Sequence, residues 1–127
     1  GARSRDAYVF RSVLDSGAVL AFGTDCPVEA LDPLLGLYAA VSRQETDGSP
    51  AEGWHPEQRL TLEEALRAYT MGSAYASYQE RVKGSITPGK WADIVVLSSN
   101  ILARPPYELL QTRVEATIVD GRVVYTS

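Results

Sequence analysis

Histidine and cysteine are almost absent from this chain: His55 and Cys26 stand alone among 127 residues. A single cysteine excludes an intrachain disulfide, and nothing in the cysteine usage points to secretion. A single histidine excludes a self-contained histidine-based zinc site, because such sites draw on several His or Cys ligands. No apolar run reaches the roughly 18 residues that a membrane helix needs. No basic patch or Lys/Arg run is present, and 12 basic residues against 16 acidic ones give a net charge of −4. Nucleic acid is therefore not an expected partner. The first residues, Gly-Ala-Arg-Ser-Arg-Asp, carry no apolar segment of signal-peptide type and no initiator Met, which is compatible with a truncated or processed chain. The expectation is a cytoplasmic protein without a membrane partner. With 45% hydrophobic and 22% charged residues, the chain has the composition of a globular protein of about one domain.

The stretch richest in chemistry is Val19-Leu20-Ala21-Phe22-Gly23-Thr24-Asp25. Apolar residues run without polar alternation and end in Gly-Thr-Asp. This pattern predicts a strand buried on both faces with a carboxylate at its C-terminal end. In parallel α/β architectures that end carries the chemistry. A helix predicted over residues 6–16, with Phe10, Val13 and Leu14 on one face and Gly17 as its stop, leads into the strand by a very short turn. Helix, tight turn and buried strand form the second half of a βαβ unit. Such a strand needs parallel neighbours, and no other convincing one is visible.

Beyond Asp25 the chain turns at Cys26-Pro27. Asp32-Pro33 predicts an N-cap followed by Pro at the first helical position, and Leu34, Leu37, Tyr38 and Val41 recur at helical spacing. Residues 46–58 are polar and rich in turn formers, which predicts an exposed loop. That loop carries His55, expected to be a surface residue or a lid element, and Trp54, expected to pack under the loop or cover a site. Thr61-Leu62-Glu63-Glu64 has the capping-box pattern. Leu62, Ala65, Leu66 and Tyr69 extend a helix that Gly72 is expected to interrupt, with a small-residue helix following over 73–78. From Lys83 the periodicity changes. Thr87-Pro88-Gly89 predicts a turn, and residues 92–97 a buried strand. A short helix is predicted over 107–110 after Pro105-Pro106. Residues 114–119, Asp120-Gly121 and residues 122–125 predict a two-residue β-hairpin. The change at Lys83 divides the chain into 1–82, mostly helical, and 83–127, mostly β.

Four segments carry a family resemblance. They are Phe22-Gly23-Thr24-Asp25-Cys26-Pro27-Val28-Glu29; Leu60-Thr61-Leu62-Glu63-Glu64-Ala65-Leu66; the run from Lys83-Gly84-Ser85-Ile86 through Pro88-Gly89-Lys90 to Ala92-Asp93-Ile94-Val95-Val96-Leu97; and Thr117-Ile118-Val119-Asp120-Gly121-Arg122-Val123-Val124-Tyr125. Together they resemble the C-terminal portion of a metal-dependent amidohydrolase, in the branch of the N-substituted formamide deformylase-like enzymes.

The resemblance implies an α/β fold: the C-terminal fragment of a distorted (β/α)8 barrel, joined to the C-terminal half of a small β-sandwich. Residues 6–16 would be the seventh barrel helix and residues 19–24 the eighth strand. Residues 1–82 would end the barrel, and residues 83–127 would supply the sandwich strands. The resemblance further implies that Asp25 ligates a divalent metal, zinc by expectation, takes a proton from the attacking water and returns it to a leaving nitrogen. From the residues alone, Asp25 is equally a cap for the turn after the strand. Thr24 and Cys26 flank it and are candidates to line a pocket, although a free cysteine more often behaves as a small buried hydrophobe. Glu29 would contact substrate or stand solvated in the loop above the barrel. Lys90, Trp91 and Asp93 are expected to be structural. The implied activity is hydrolysis of non-peptide carbon–nitrogen bonds in amide or N-acyl substrates. The isolated chain would be inactive, with no metal bound, because it retains one ligand. The alternative is a non-enzymatic binding or assembly module, a homo-oligomer that covers the unpartnered strand at Val19 with another copy.

Overall fold

The computed structural model describes residues 2–127. Its core is organised by one helix. After a 3-10 turn at Ala2–Asp6 come α1 (Phe10–Asp15), α2 (Pro33–Ser42) and α3 (Leu62–Arg67). Helix α3 runs through a π-helical turn at Ala68–Gly72 into α4 (Ser73–Ala76). Three strands follow, β1 (Ile94–Leu97), β2 (Val114–Val119) and β3 (Arg122–Thr126).

Helix α2 forms where its local signals place it. The Asp32 carboxylate accepts from the Leu34 amide at 2.9 Å, and Pro33 fills the first helical position. Leu34, Leu37, Tyr38 and Val41 are all buried, as their spacing predicts. They form one cluster with Ala40, Leu60, Ala65, Ile101 and Leu109. Helix α2 thus packs on α3 on one side and on the 3-10 turn Pro106–Gln111 on the other. The end of α2 leaves no orphan carbonyl at Ala39, Ala40 or Ser42. Their acceptors are met by the Arg43 amide (2.9 Å), the Leu60 amide (3.1 Å) and Arg59 Nε (3.0 Å).

Helix α3 starts on the predicted capping box, Thr61 and Glu64 each serving the other's backbone amide (2.8 and 3.2 Å). Gly72 does not interrupt the helix. It ends the π turn, and the chain continues directly into α4. A side chain here would collide with the Leu20 carbonyl, so glycine serves a close approach rather than a break.

The segment 19–24 departs from expectation. It is extended but belongs to no sheet, Val19 is 57% exposed, and Ala21 is also exposed. A doubly buried strand requires ladder partners on both sides, and among the described residues there are none. The segment is held by helix groups instead, as set out below.

The sheet has order β1-β2-β3 and is antiparallel throughout. Ile94 pairs with Ile118 and Val96 with Ala116; Thr117 pairs with Tyr125, and beyond a register shift Val119 pairs with Arg122. The hairpin turns at Asp120 (φ 49°) and Gly121 (φ 75°), the two positive values that a two-residue type I′ loop requires. Asp93 accepts from the Asp120 amide at 2.8 Å and so ties the turn to β1. The predicted burial of β1 fails, because Val95 and Val96 are 53% and 41% exposed. Strand β3 is exposed along its whole length. No second layer among the described residues covers these strands. The predicted helix over 6–16 is shorter as well, starting at Phe10 after Tyr8 adopts a left-handed φ of 53°. No helix among the described residues is long and apolar enough to cross a membrane.

Candidate active site

Helix groups anchor the segment 19–24. The Phe22 amide donates to the Ala68 carbonyl at 3.1 Å, and the Ser73 hydroxyl donates to the Phe22 carbonyl at 2.8 Å. Edge-to-face aromatic contacts add to this anchoring: Phe22 meets Phe10 at 5.0 Å and Tyr69 at 5.4 Å between centroids. The Thr24 carbonyl accepts from the Glu29 amide (3.2 Å) and the Asp25 carbonyl from the Val28 amide (2.9 Å), which closes a compact turn. Asp25 sits in this turn at φ 51°, a left-handed conformation that Asp tolerates better than most residues.

In front of Phe22 lies a groove of about 570 Å³. Thr24 and Glu29 line it, together with Phe10, Tyr69, Trp54 and Arg43. The structure therefore brings two of the four sequence-predicted residues to the groove. Asp25 and Cys26 are exposed on the adjoining turn and do not line it. Cys26 is not the buried hydrophobe that free cysteines usually are. The Asp25 carboxylate does not cap its own turn. Its backbone carbonyl closes the turn, and no hydrogen bond or ion pair engages its side chain among the described residues.

Arg43 escaped the sequence reading. An arginine just past an amphipathic helix ordinarily reads as a solvated cation near the helix C-terminus. Here it is 8% exposed. Its guanidinium donates from Nε to the Trp54 carbonyl (3.0 Å) and from Nη1 to the Tyr8 carbonyl (3.1 Å). It packs against the rings of Trp54 (5.0 Å) and Phe10 (5.8 Å). Burial pulls its pKa below the ordinary arginine value, and the charge of Glu57 opposes that shift. Trp54 thus packs under the loop and also walls the groove. His55 lies edge-on to Trp54 and meets Glu57 through Nδ1 at 3.2 Å. The Glu57 carboxyl is held below its ordinary range, first by a backbone amide and further by His55.

No group of three or more His, Cys, Asp and Glu side chains among the described residues is arranged to hold a metal ion. Catalytic zinc sites commonly use about three protein ligands, and Asp25 is a single donor. The described residues do not by themselves fit a metal.

Comparison with known proteins identifies the class. The model of the amidohydrolase family matches residues 2–125, and the chain belongs to that family. It is 36% identical over 115 residues to the N-substituted formamide deformylase of Arthrobacter pascens, covering 91% of this chain and 21% of that enzyme. It is also 36% identical over 121 residues to Protein LONG AFTER FAR-RED 3 of Arabidopsis thaliana, covering 95% of this chain and 20% of that protein. An amidohydrolase from Thermotoga maritima superposes with a TM-score of 0.68 at 26% identity, over 94% of this chain and 26% of the other. The atrazine chlorohydrolase TrzN of Arthrobacter aurescens, solved with zinc and atraton, gives 0.65 at 28% identity, over 91% of this chain and 27% of the other. The chain spans about a fifth of the length of these curated relatives.

Proposed function

We propose that this chain is the C-terminal part of a metal-dependent hydrolase that cleaves non-peptide carbon–nitrogen bonds in small amide or N-acyl substrates. In this proposal residues 19–24 are the last strand of a distorted barrel, and residues 83–127 are strands of a composite β-sandwich. One observation carries the proposal: Asp25 stands at the end of the anchored segment, in a left-handed turn, with an exposed carboxylate that has no structural duty. A carboxylate without a partner in the fold is free to accept and return a proton. A bound divalent metal would supply Lewis-acid activation of water. Asp25 would serve as one ligand of that metal, take the proton and deliver it to the leaving nitrogen, work that is worth about 100-fold or more in rate. Thr24 and Glu29 would face the substrate in the groove.

The relatives' names support the reaction class, since a formamide deformylase and a chlorohydrolase solved with zinc are among them. The test has two arms. The 127-residue chain should neither hydrolyse simple N-acyl substrates nor bind stoichiometric zinc. In the polypeptide that joins this chain to the remaining ligands, Asp25→Asn should lower kcat by about 100-fold or more. An unchanged kcat there refutes the role of Asp25.

A second reading, a self-associating binding module, draws support from the bare sheet: Val119, Val123, Val124 and Tyr125 are all about half exposed or more. Size-exclusion chromatography with light scattering distinguishes the two. A stable dimer supports the module, and a clean monomer at high concentration weakens it.

A further inference from the structure

Arg43 is a buried cation with an unfinished set of acceptors. Of its guanidinium nitrogens, Nε and Nη1 are committed to the carbonyls of Trp54 and Tyr8. Nη2 is buried and has no hydrogen-bond partner. Phe10 and Trp54 hold the group between them and exclude solvent from its faces. Buried charges in proteins are paired as a rule, because an uncompensated one costs several kcal/mol. No carboxylate of the described residues forms an ion pair with Arg43. Glu57, whose charge acts on it, already spends Oε1 on His55.

Arg43 lines the groove, and we propose that the groove binds a small carboxylate ligand whose oxygens complete the Arg43 guanidinium. Three observations support this occupant over a neutral one. The guanidinium is a planar fork that matches the two oxygens of a carboxylate. Its position between aromatic rings lowers the local dielectric and strengthens a charge-assisted bond. The groove is large enough for a small organic acid. Glu29, Asp32 and Glu45 also line it, but all three are exposed, and Asp32 Oδ1 is already engaged by the Leu34 amide. Their charges are screened by water and salt, whereas that of Arg43 is not. Trp54 covers the approach to the guanidinium, so the ligand enters by displacing that side chain, which is 38% exposed. The site does not depend on the hydrolase assignment, because it uses neither Asp25 nor a metal.

The test titrates the isotope-labelled chain with acetate at constant ionic strength, with acetamide as the neutral isostere. The Arg43 Nε–H and Trp54 indole resonances should shift and saturate with acetate. The Trp91 indole, which does not line the groove, serves as the internal control and should not move. Acetamide should produce no saturable shift. Arg43→Gln should weaken acetate binding by about tenfold or more, while Asp25→Asn leaves it unchanged. The contrast between acetate and acetamide in the unmodified chain stands even if the Gln variant does not fold. Absence of saturation, an equal response to acetamide, or full affinity in a folded Arg43→Gln variant overturns the proposal.

Discussion

The backbone carbonyl of Leu20 rests directly on Gly72, so close that a β-carbon at position 72 would overlap the oxygen. This contact joins the segment that carries the candidate site to the helix that supports it. In an exposed helix, Gly→Ala ordinarily gains up to about 1 kcal/mol from propensity. Here the neighbour is backbone and cannot rotate away. Gly72→Ala is therefore expected to lose about 1–3 kcal/mol net, the cost of overpacking, and to loosen the bond from the Phe22 amide to Ala68. Chemical denaturation measures the loss, and hydrogen exchange at Phe22 measures the loosening. Gly23→Ala is the control, since nothing lies within 4 Å of a β-carbon there. Equal stability of both variants removes the argument for close approach.

Lys90 pins the turn before β1 to the end of the helical region. Its Nζ donates to the carbonyls of Glu80 (2.6 Å) and Lys83 (3.1 Å) and contacts Met71 Sδ at 3.6 Å. Lys90→Met keeps the aliphatic stem and leaves two carbonyls without their donor. Each bond to a charged donor is worth about 1.5–3 kcal/mol, so the variant should lose stability on that scale. Equilibrium unfolding gives the total. Faster exchange at the Trp91 amide, which donates to the Val82 carbonyl, should report the local effect. A variant as stable as the parent shows that water replaces the ammonium without cost.

What was legible in the sequence was what neighbouring residues decide among themselves. The Asp32 cap, the Thr61–Glu64 box and the Asp120-Gly121 turn each need only a few consecutive positions, and each formed as expected. The buried face of α2 was legible because helical spacing alone selects it. The strands were misjudged for the opposite reason. Residues 19–24 and 92–97 have compositions suited to burial on both faces, but burial depends on partners that the described residues do not supply. Arg43 was missed because its environment is assembled from Tyr8, Phe10 and Trp54, up to 35 positions away. No local pattern announces that the arginine after a helix will be drawn beneath a loop.

Tyr69 supplies a pH signature. Its ring packs against Phe22, a β-carbon on Gly36 would meet its hydroxyl, and burial raises its pKa above the ordinary phenol value. Below about pH 10, the ordinary tyrosine value, the ring is neutral in the folded and unfolded chains and its contribution is fully present. Above that, the unfolded chain ionises first, and stability falls as the pH rises through the folded value. Tyr69→Phe cannot ionise and removes a hydroxyl that has no hydrogen-bond partner among those found. Between about pH 9 and 11, the melting temperature of the variant should fall less steeply than that of the parent. Parallel slopes show that Tyr69 does not carry the effect.

Asp25 separates backbone need from chemical need. Its φ of 51° is accessible to Asn and Gly, while a β-branched residue there pays about 1–2 kcal/mol for the left-handed conformation. Because the carboxylate is exposed and has no partner, Asp25→Asn should change stability by no more than about 0.5 kcal/mol, and Asp25→Val should lose about 1–2 kcal/mol. Thermal denaturation of the two variants checks both expectations. If Asn destabilises as much as Val, the carboxylate has a structural partner and turn capping is its role. If Asn is neutral, folding does not require the acid, and a charge that contributes nothing to stability is best explained by chemistry at the end of the segment.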